Sequence, residues 1–393
     1  MESILEIVPG LHTSPMEPYQ KAIEILHQAC TPDGFVTSIA EHDHYGHIST
    51  RDTALCGLAS LTTDDDDLKQ AFKRSIETIF QHQHKNGFIP DNVNPALNQV
   101  SYGTSAGRVD NHAWFVISAC TYAYAQKERQ WLRKFRTAID TCFSLMSAWE
   151  FNGRCLMYIP QNDDLNGGHH GYILYNQLLR IWALRCAAKV FKNSTYSIKA
   201  SRLRIAVENY FTGNEFYSLE VERTWQEKQF PYWITGFNPT SVYTEFNLQA
   251  NALALLLRIG SNEQQQQLVE FMKGLYEEKN TMLPLFYPEV MEDKRAVPEQ
   301  KTSHGFHFQK APEHGGLWPV WNGMAALGSA DYDKSFSEKI NDAIIKACCQ
   351  HNFGFNEYYL AETNDGIGLP NSACSAAGLI LSKNTNLIAR LVL

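Results

Sequence analysis

Gly107-Arg108-Val109-Asp110-Asn111-His112-Ala113-Trp114-Phe115 places an acid at the lip of a strongly apolar run, Trp114-Phe115-Val116-Ile117-Ser118-Ala119-Cys120, directly after a Gly- and Ser-rich loop. A helix that is apolar nearly all round is a buried one, so Asp110 is expected at the mouth of a buried helix. The same junction recurs along the chain. Asp52 to Asp110 is 58 residues and Asp110 to His169 is 59, a repeat of about two helices plus a long loop.

Working outward, twelve helices are expected in six pairs. The first runs from about Pro15 to Cys30, and after the extended run Phe35–Ala40 and a His-rich loop a small-residue helix continues from Ser49 through Leu61. Thr62–Asp67 caps an amphipathic helix to about Gln83, with acids at its positive end. The apolar helix after Asp110 reaches about Ala125, and a more charged one spans Gln130 to Ala148. His169-His170-Gly171 opens an apolar helix to about Phe191, followed by an amphipathic one from about Tyr196 to Tyr210. Tyr243-Thr244-Glu245 leads into Phe246–Ile259, then a polar-faced helix from about Glu263 to Glu278. The longest loop, about Asn280 to His314, ends at Trp318-Pro319-Val320-Trp321-Asn322 and a short apolar helix, with an amphipathic one from Tyr332 to Cys349. Asn356-Glu357-Tyr358-Tyr359 opens the last loop, and a final apolar helix reaches about Leu381. Apolar and amphipathic helices alternate, which predicts six inner and six outer helices closed into an all-α (α/α)6 toroid, a six-hairpin barrel with long, partly β loops at one rim. Length alone favours two or three domains, but no linker interrupts the pattern, so residues 1–393 read as a single barrel domain.

The 393 residues are 44% hydrophobic, with a formal net charge of -8, which argues against nucleic acid or an anionic membrane as the main partner. Nine cysteines, mostly in apolar helical runs, do not read as a disulfide framework and point to a reducing cytosol. The acidic start Met1-Glu2-Ser3 is unlike a secretory signal, and no run approaches 18 apolar residues.

All six long loops precede inner helices, so one rim receives most of the His, Trp, Asn and acidic loop residues and is the default site. Its load is aromatic and polar with little net charge: Arg51, Asp52, Tyr232, Trp233, Trp318, Trp321, Asn322, Tyr358 and Tyr359. Flat rings beside amide, carboxylate and guanidinium forks suit a sugar, and no Gly-rich phosphate loop with Lys is present. Glycoside hydrolysis needs two carboxyls, and Asp110 and Glu357 stand on the second and sixth of six junctions, flanking the Arg51-Asp52 unit between them. Glu245 is a third acid at a junction and competes with Asp110 and Glu357 for a catalytic role. Each has a plainer reading: Asp110 as a helix cap, Arg51-Asp52 as a surface ion pair, Trp318 and Trp321 as packing, and His169 and His170 as loop filler. Glu362 and Asp365 read as solvated. His42, His44 and His47 have metal-like spacing but no nearby Cys and no His-x-x-x-His helix, so neither a metal nor another cofactor is expected.

These rim segments resemble those of the (α/α)6 glycoside hydrolases that include the amylo-α-1,6-glucosidase part of glycogen debranching enzymes, alkaline/neutral invertases, and trehalase and glucosylglycerate-hydrolase relatives. In that group an Arg-Asp pair opening an inner helix grips the sugar, and Thr50-Arg51-Asp52-Thr53 is similar. A Val-Asp before an apolar Trp-Phe helix carries the general acid, as in Val109-Asp110-Asn111-His112-Ala113-Trp114-Phe115. A Glu-Tyr-Tyr segment before a Gly-x-Pro helix start carries the base, which Glu357-Tyr358-Tyr359 and Gly368-Leu369-Pro370-Asn371-Ser372 resemble. Gly316-Leu317-Trp318-Pro319-Val320-Trp321-Asn322 is similar to the group's Trp-Pro segment.

The resemblance implies an inverting hydrolase of an α-glucosidic or sucrose-like bond, with an oligosaccharide or small glucoside as its substrate. Asp110 is the expected acid, held protonated by burial against Trp114, and Glu357 the base, about 6.5–9.5 Å apart. Asn111, His169, His170 and Glu245 join Arg51, Asp52, Trp318, Trp321, Asn322 and Tyr358 as expected sugar contacts. Two rivals remain: an epimerase or isomerase using His112, His169, His170 and His304 as acid and base, and a non-catalytic carbohydrate-binding protein.

Overall fold

A computed structural model of the protein describes residues 17–39, 46–103, 109–151, 153–160, 169–213, 218–290, 315–350 and 353–386. Its helices are α1 (Glu17–Gln28), α2 (Thr50–Ser60), α3 (Asp66–Gln81), α4 (Val109–Ala125), α5 (Arg129–Leu132), α6 (Arg136–Ala148) and α7 (Leu174–Phe191). They continue as α8 (Ser194–Tyr210), α9 (Leu219–Glu227), α10 (Leu248–Leu256), α11 (Asn262–Lys279), α12 (Pro319–Ser329), α13 (Lys334–Gln350) and α14 (Ala373–Lys383).

Two burial patterns separate them. In α4 every residue from Val109 to Ala123 is buried, and α10, α12 and Ala373–Ser382 of α14 are equally dark. In α3 only Leu68, Ala71, Phe72, Ser75, Ile76, Thr78 and Ile79 are buried, the single stripe of an outer helix. The dark helices form a succession: α2 packs on α4, α4 on α7, α7 on α10, α10 on α12, α12 on α14, and α14 back on α2. Outside them α3 lies on α2 and α4, α6 on α4, α8 on α7, α13 on α12 and α14, and α1 on α14.

Small residues bring the inner helices together. A Cβ at Gly378 would stand 2.3 Å from the carbonyl oxygen of Pro319, and one at Gly323 would stand 2.2 Å from that of Gly378. Backbone cannot yield as a flexible side chain does. Gly378→Val is therefore expected to cost at least about 3 kcal/mol, the upper range for overpacking, read as a lower urea midpoint. An unchanged midpoint would show that α12 and α14 can part without loss.

Short strands sew neighbouring loops together. Ile48–Ser49, Asn92–Asn94 and Gln99–Ser101 form an antiparallel sheet joining the first two loops. Tyr172–Ile173, Ile234–Asn238, Ser241–Asn247 and Phe286–Tyr287 form another across the third, fourth and fifth. Leu317 bridges Tyr359 between the fifth and sixth, and Ser38 bridges Ser372 between the first and the last. A repeated amide clasp anchors three of these loops on their helices. Gln177 bonds the backbone N–H and C=O of Met157, Asn251 those of Trp233, and Asn322 those of Leu283, each from the fourth residue of its helix.

Three expectations are corrected. The helix expected over Gln130–Ala148 is broken by a 3-10 turn at Arg133–Phe135. The helix expected from Phe246 begins at Leu248, because Phe246 and Asn247 still pair in the sheet and the Asn247 side chain caps Ala250 N–H at 2.8 Å. α9 was not expected. A single apolar i,i+4 pair, Val221 and Trp225, is buried and sets its face, too short a stripe to register as a period. No helix among the described residues is long and apolar enough to cross a membrane.

Candidate active site

The first turns of α2 and α4 bring the key charges together. Ser49 caps α2 by accepting from Asp52 N–H, which sets Arg51 and Asp52 in its opening turn. Asp110, in the opening turn of α4, is only 3% exposed, and Arg51 Nη1 lies 3.7 Å from its Oδ2. The inner helices carry a chain of aromatic contacts. Trp114 Nε1–H donates to Tyr175 Oη at 3.1 Å, Trp114 meets Trp182 edge-on, and Tyr175 meets Trp321 edge-on. Asn111 Nδ2 donates to Asp91 Oδ1 at 3.3 Å, and His112 stands edge-on to Phe88.

The sixth loop presents Glu357, partly exposed. Its Oε2 accepts the N–H of Leu369 at 3.3 Å, while its own N–H donates to Leu369 C=O. Gly368 makes the approach possible: its φ is +74°, and a Cβ there would stand 2.5 Å from Glu357 Oε2 and 2.9 Å from Glu357 Cβ. Next to it Tyr358 stacks on Trp318, with ring centroids 5.0 Å apart and planes 20° from parallel.

Asp52 is held from two sides. Thr37 Oγ1–H donates to its Oδ2 at 3.0 Å, and the Cys374 thiol reaches its carbonyl oxygen at 3.9 Å. A hydrogen bond with Cys56, then burial and the Asp52 charge, push the Cys374 thiol well above its ordinary value, so it stays a protonated donor.

A further cluster links the third and fourth loops. His169 Nε2 stands 3.6 Å from Glu245 Oε2, and its ring stacks on Tyr243 with centroids 4.0 Å apart. Burial, the largest influence, pushes the Glu245 carboxyl up. The His169 imidazole and the N–H of Glu245 itself outweigh it and leave the group below the usual glutamate range. His170 is exposed, with Nε2 3.5 Å from Asn238 Nδ2.

Trp321 and Asn322 have partners within the protein. Trp321 is fully buried against Tyr175, and the Asn322 amide is spent on Leu283 and Trp318 backbone. Helix α12 starts with Trp318 as its cap, which puts Trp321 and Asn322 in its opening turn with both side chains buried. Glu245 lies in a strand three residues before α10 rather than at a helix start. His42, His44 and His304 lie outside the described residues, as does most of the loop from Asn280 to His314; His47 Nδ1 meets Asn92 Oδ1 at 3.2 Å. No group of three metal-ligating side chains occurs among the described residues.

Sequence reasoning missed Thr37, Cys374 and Gln249. Gln249, in the first turn of α10, is fully buried, and neither amide end has a hydrogen-bond partner among the described residues. In the sequence it is indistinguishable from the clasping amides Gln177, Asn251 and Asn322.

No family model matches the chain, and no curated protein matches it in sequence. Solved structures do. An uncharacterized conserved protein from Thermus thermophilus superposes with a TM-score of 0.66 at 14% identity, over 93% of this chain and 99% of that one. A GH63 mannosylglycerate hydrolase from the same organism, in complex with glucose, gives 0.66 at 13% identity over 93% of this chain and 99% of that one. A bacterial glucoamylase complexed with acarbose gives 0.64 at 14% identity, over 95% of this chain and 56% of that one. The chain is thus similar in fold to (α/α)6-barrel glycoside hydrolases.

Proposed function

We propose that the protein is a glycoside hydrolase, a single (α/α)6 toroid spanning residues 1–393 that works in a reducing cytosol and cleaves an α-glucosidic or sucrose-like bond with inversion. The observation that carries this reading is the contact of Arg51 with the buried Asp110, at the start of two inner helices of which α2 also packs on α14, the helix that follows the Glu357 loop. Asp110 donates its proton to the glycosidic oxygen as the bond to the anomeric carbon breaks. Glu357 takes a proton from the water that attacks that carbon from the opposite face. Arg51 and Asp52 bind the hydroxyls of the sugar being cut. Trp318 with Tyr358 and His169 with Glu245 flank the bound glycoside, and Asn111 and His170 complete its polar surroundings. The mechanism needs neither metal nor cofactor.

The test is a panel of sucrose, trehalose, maltose, isomaltose, glucosylglycerate and limit dextrin followed by NMR. Hydrolysis with the inverted anomer appearing first is the expected result. A retained anomer overturns inversion, and no hydrolysis of any member overturns the bond class. One observation favours a second reading, a sugar epimerase: the His169 imidazole and the Glu245 carboxyl, two groups able to exchange a proton with a sugar, stand 3.6 Å apart. Uptake of deuterium into a free monosaccharide from heavy water would establish it.

A further inference from the structure

The first and last units of the chain meet at a seam with no covalent link, and the seam passes beside Asp52. Ser38 pairs with Ser372, Ser38 Oγ–H donates to Pro370 C=O at 2.8 Å, and Ala373 N–H donates to Thr37 C=O at 3.1 Å. On the other side of that strip, Ser372 and Asn371 N–H groups donate to Phe355 and Gly354 C=O, and Leu369 pairs with Glu357. A continuous run of hydrogen bonds therefore leads from Glu357 through residues 369–373 to Thr37. From Thr37 it reaches Asp52, by the Oγ1–H bond to Oδ2 at 3.0 Å.

Thr37 has one hydroxyl hydrogen and two acceptors near it, Asp52 Oδ2 at 3.0 Å and His47 C=O at 3.4 Å. The carboxylate is nearer and charged, so the hydrogen goes there. The His47 carbonyl is already served by Thr37 N–H at 3.2 Å. Backbone pairing on both faces of Thr37 leaves its side chain little freedom, so the donor is held ready before any ligand arrives.

We propose that Thr37 is a positioning residue for the sugar-binding carboxylate of Asp52, set in place by closure of the last unit on the first. This rests on the reading of Asp52 given above. By holding Oδ2, Thr37 turns Oδ1 toward a sugar hydroxyl. The effect falls on binding shared by the ground and transition states, so it appears in KM and leaves kcat nearly unchanged.

The experiment compares wild type, Thr37→Val, Thr37→Ser, Asp52→Ala and Thr37→Val/Asp52→Ala on whichever panel glycoside is turned over, with melting temperatures for all. Thr37→Val is expected to raise KM about ten- to a hundredfold, the size of one lost hydrogen bond to a charged group. Thr37→Ser should restore KM to within about twofold, and Thr37→Val should add nothing once Asp52 is Ala. Should Thr37→Val melt early, Thr37→Ala and Thr37→Ser measured below that temperature carry the same comparison. Wild-type KM in Thr37→Val, or an equal loss with and without the Asp52 carboxylate, overturns the proposal alone. A wild-type protein that turns over no glycoside overturns the reading of the site and this proposal with it.

Discussion

Asp110→Asn should lower kcat by about 10³-fold or more on a glycoside with a poor leaving group, while sugar binding persists. General acid catalysis contributes about 10²–10⁴-fold, and the amide keeps the size and hydrogen-bonding reach of the carboxyl but has no proton to give. The loss should shrink on an activated leaving group such as fluoride, which departs without protonation. That dependence separates an acid from a group that only supports the helix. A helix-supporting Asp110 would lose the same factor on both substrates, and near-wild-type hydrolysis of the poor leaving group would remove Asp110 from the chemistry. The Asn variant also leaves Arg51, 3.7 Å away, without its carboxylate partner. Melting measurements should accompany the kinetics, because breaking a buried charge pair destabilises.

Gly368→Ala should act on the other carboxyl without replacing it. The added Cβ would meet Glu357 at Oε2 and Cβ, 2.5 and 2.9 Å away, in a backbone with φ +74°. The carboxyl end is flexible and yields first, so the atom that moves is the one proposed to hold the attacking water. A displacement of about 1 Å in a positioned group costs about 10²-fold in rate, and kcat should fall by at least that much. The left-handed backbone adds a modest stability loss of about 1 kcal/mol. Glu357→Gln should match or exceed the rate loss with no such change in stability. Gly368→Ala with full kcat would show that Glu357 does not need its place against Leu369.

Much of the architecture was legible because its causes are local. Continuous burial of Val109–Ala123 and striped burial of α3 both follow from which residues repeat at helical spacing. The opening positions of α2 and α4 were readable too, since a Ser cap or an acid in a first turn acts over three or four residues. Weak stripes were not. Two apolar residues define α9, and Phe246–Asn247 is apolar enough for either a strand or a helix until Tyr287 and Phe286 pair with it. The amides show the same limit: Gln177, Asn251 and Asn322 clasp backbone, while Gln249 does not.

By itself the sequence determined the alternation of buried and outer helices, the junctions at which polar side chains gather, and the acids those junctions carry. Hydrophobic period and capping chemistry operate within a turn or two of chain, so they are written in neighbouring letters. Only the tertiary structure decided that Arg51 meets Asp110, that Thr37 holds Asp52, that Gly368 makes room for Glu357, and that Trp321 packs on Tyr175 while Asn322 clasps Leu283. Most of those contacts join residues on different elements, and the last depends on the rotation of α12 about its axis. The rotation of each helix and the closure of the last unit on the first set them. At Val109–Phe115 the chain's pattern put Asp110 at a helix mouth, and packing of α2 against α4 gave it a guanidinium for a neighbour.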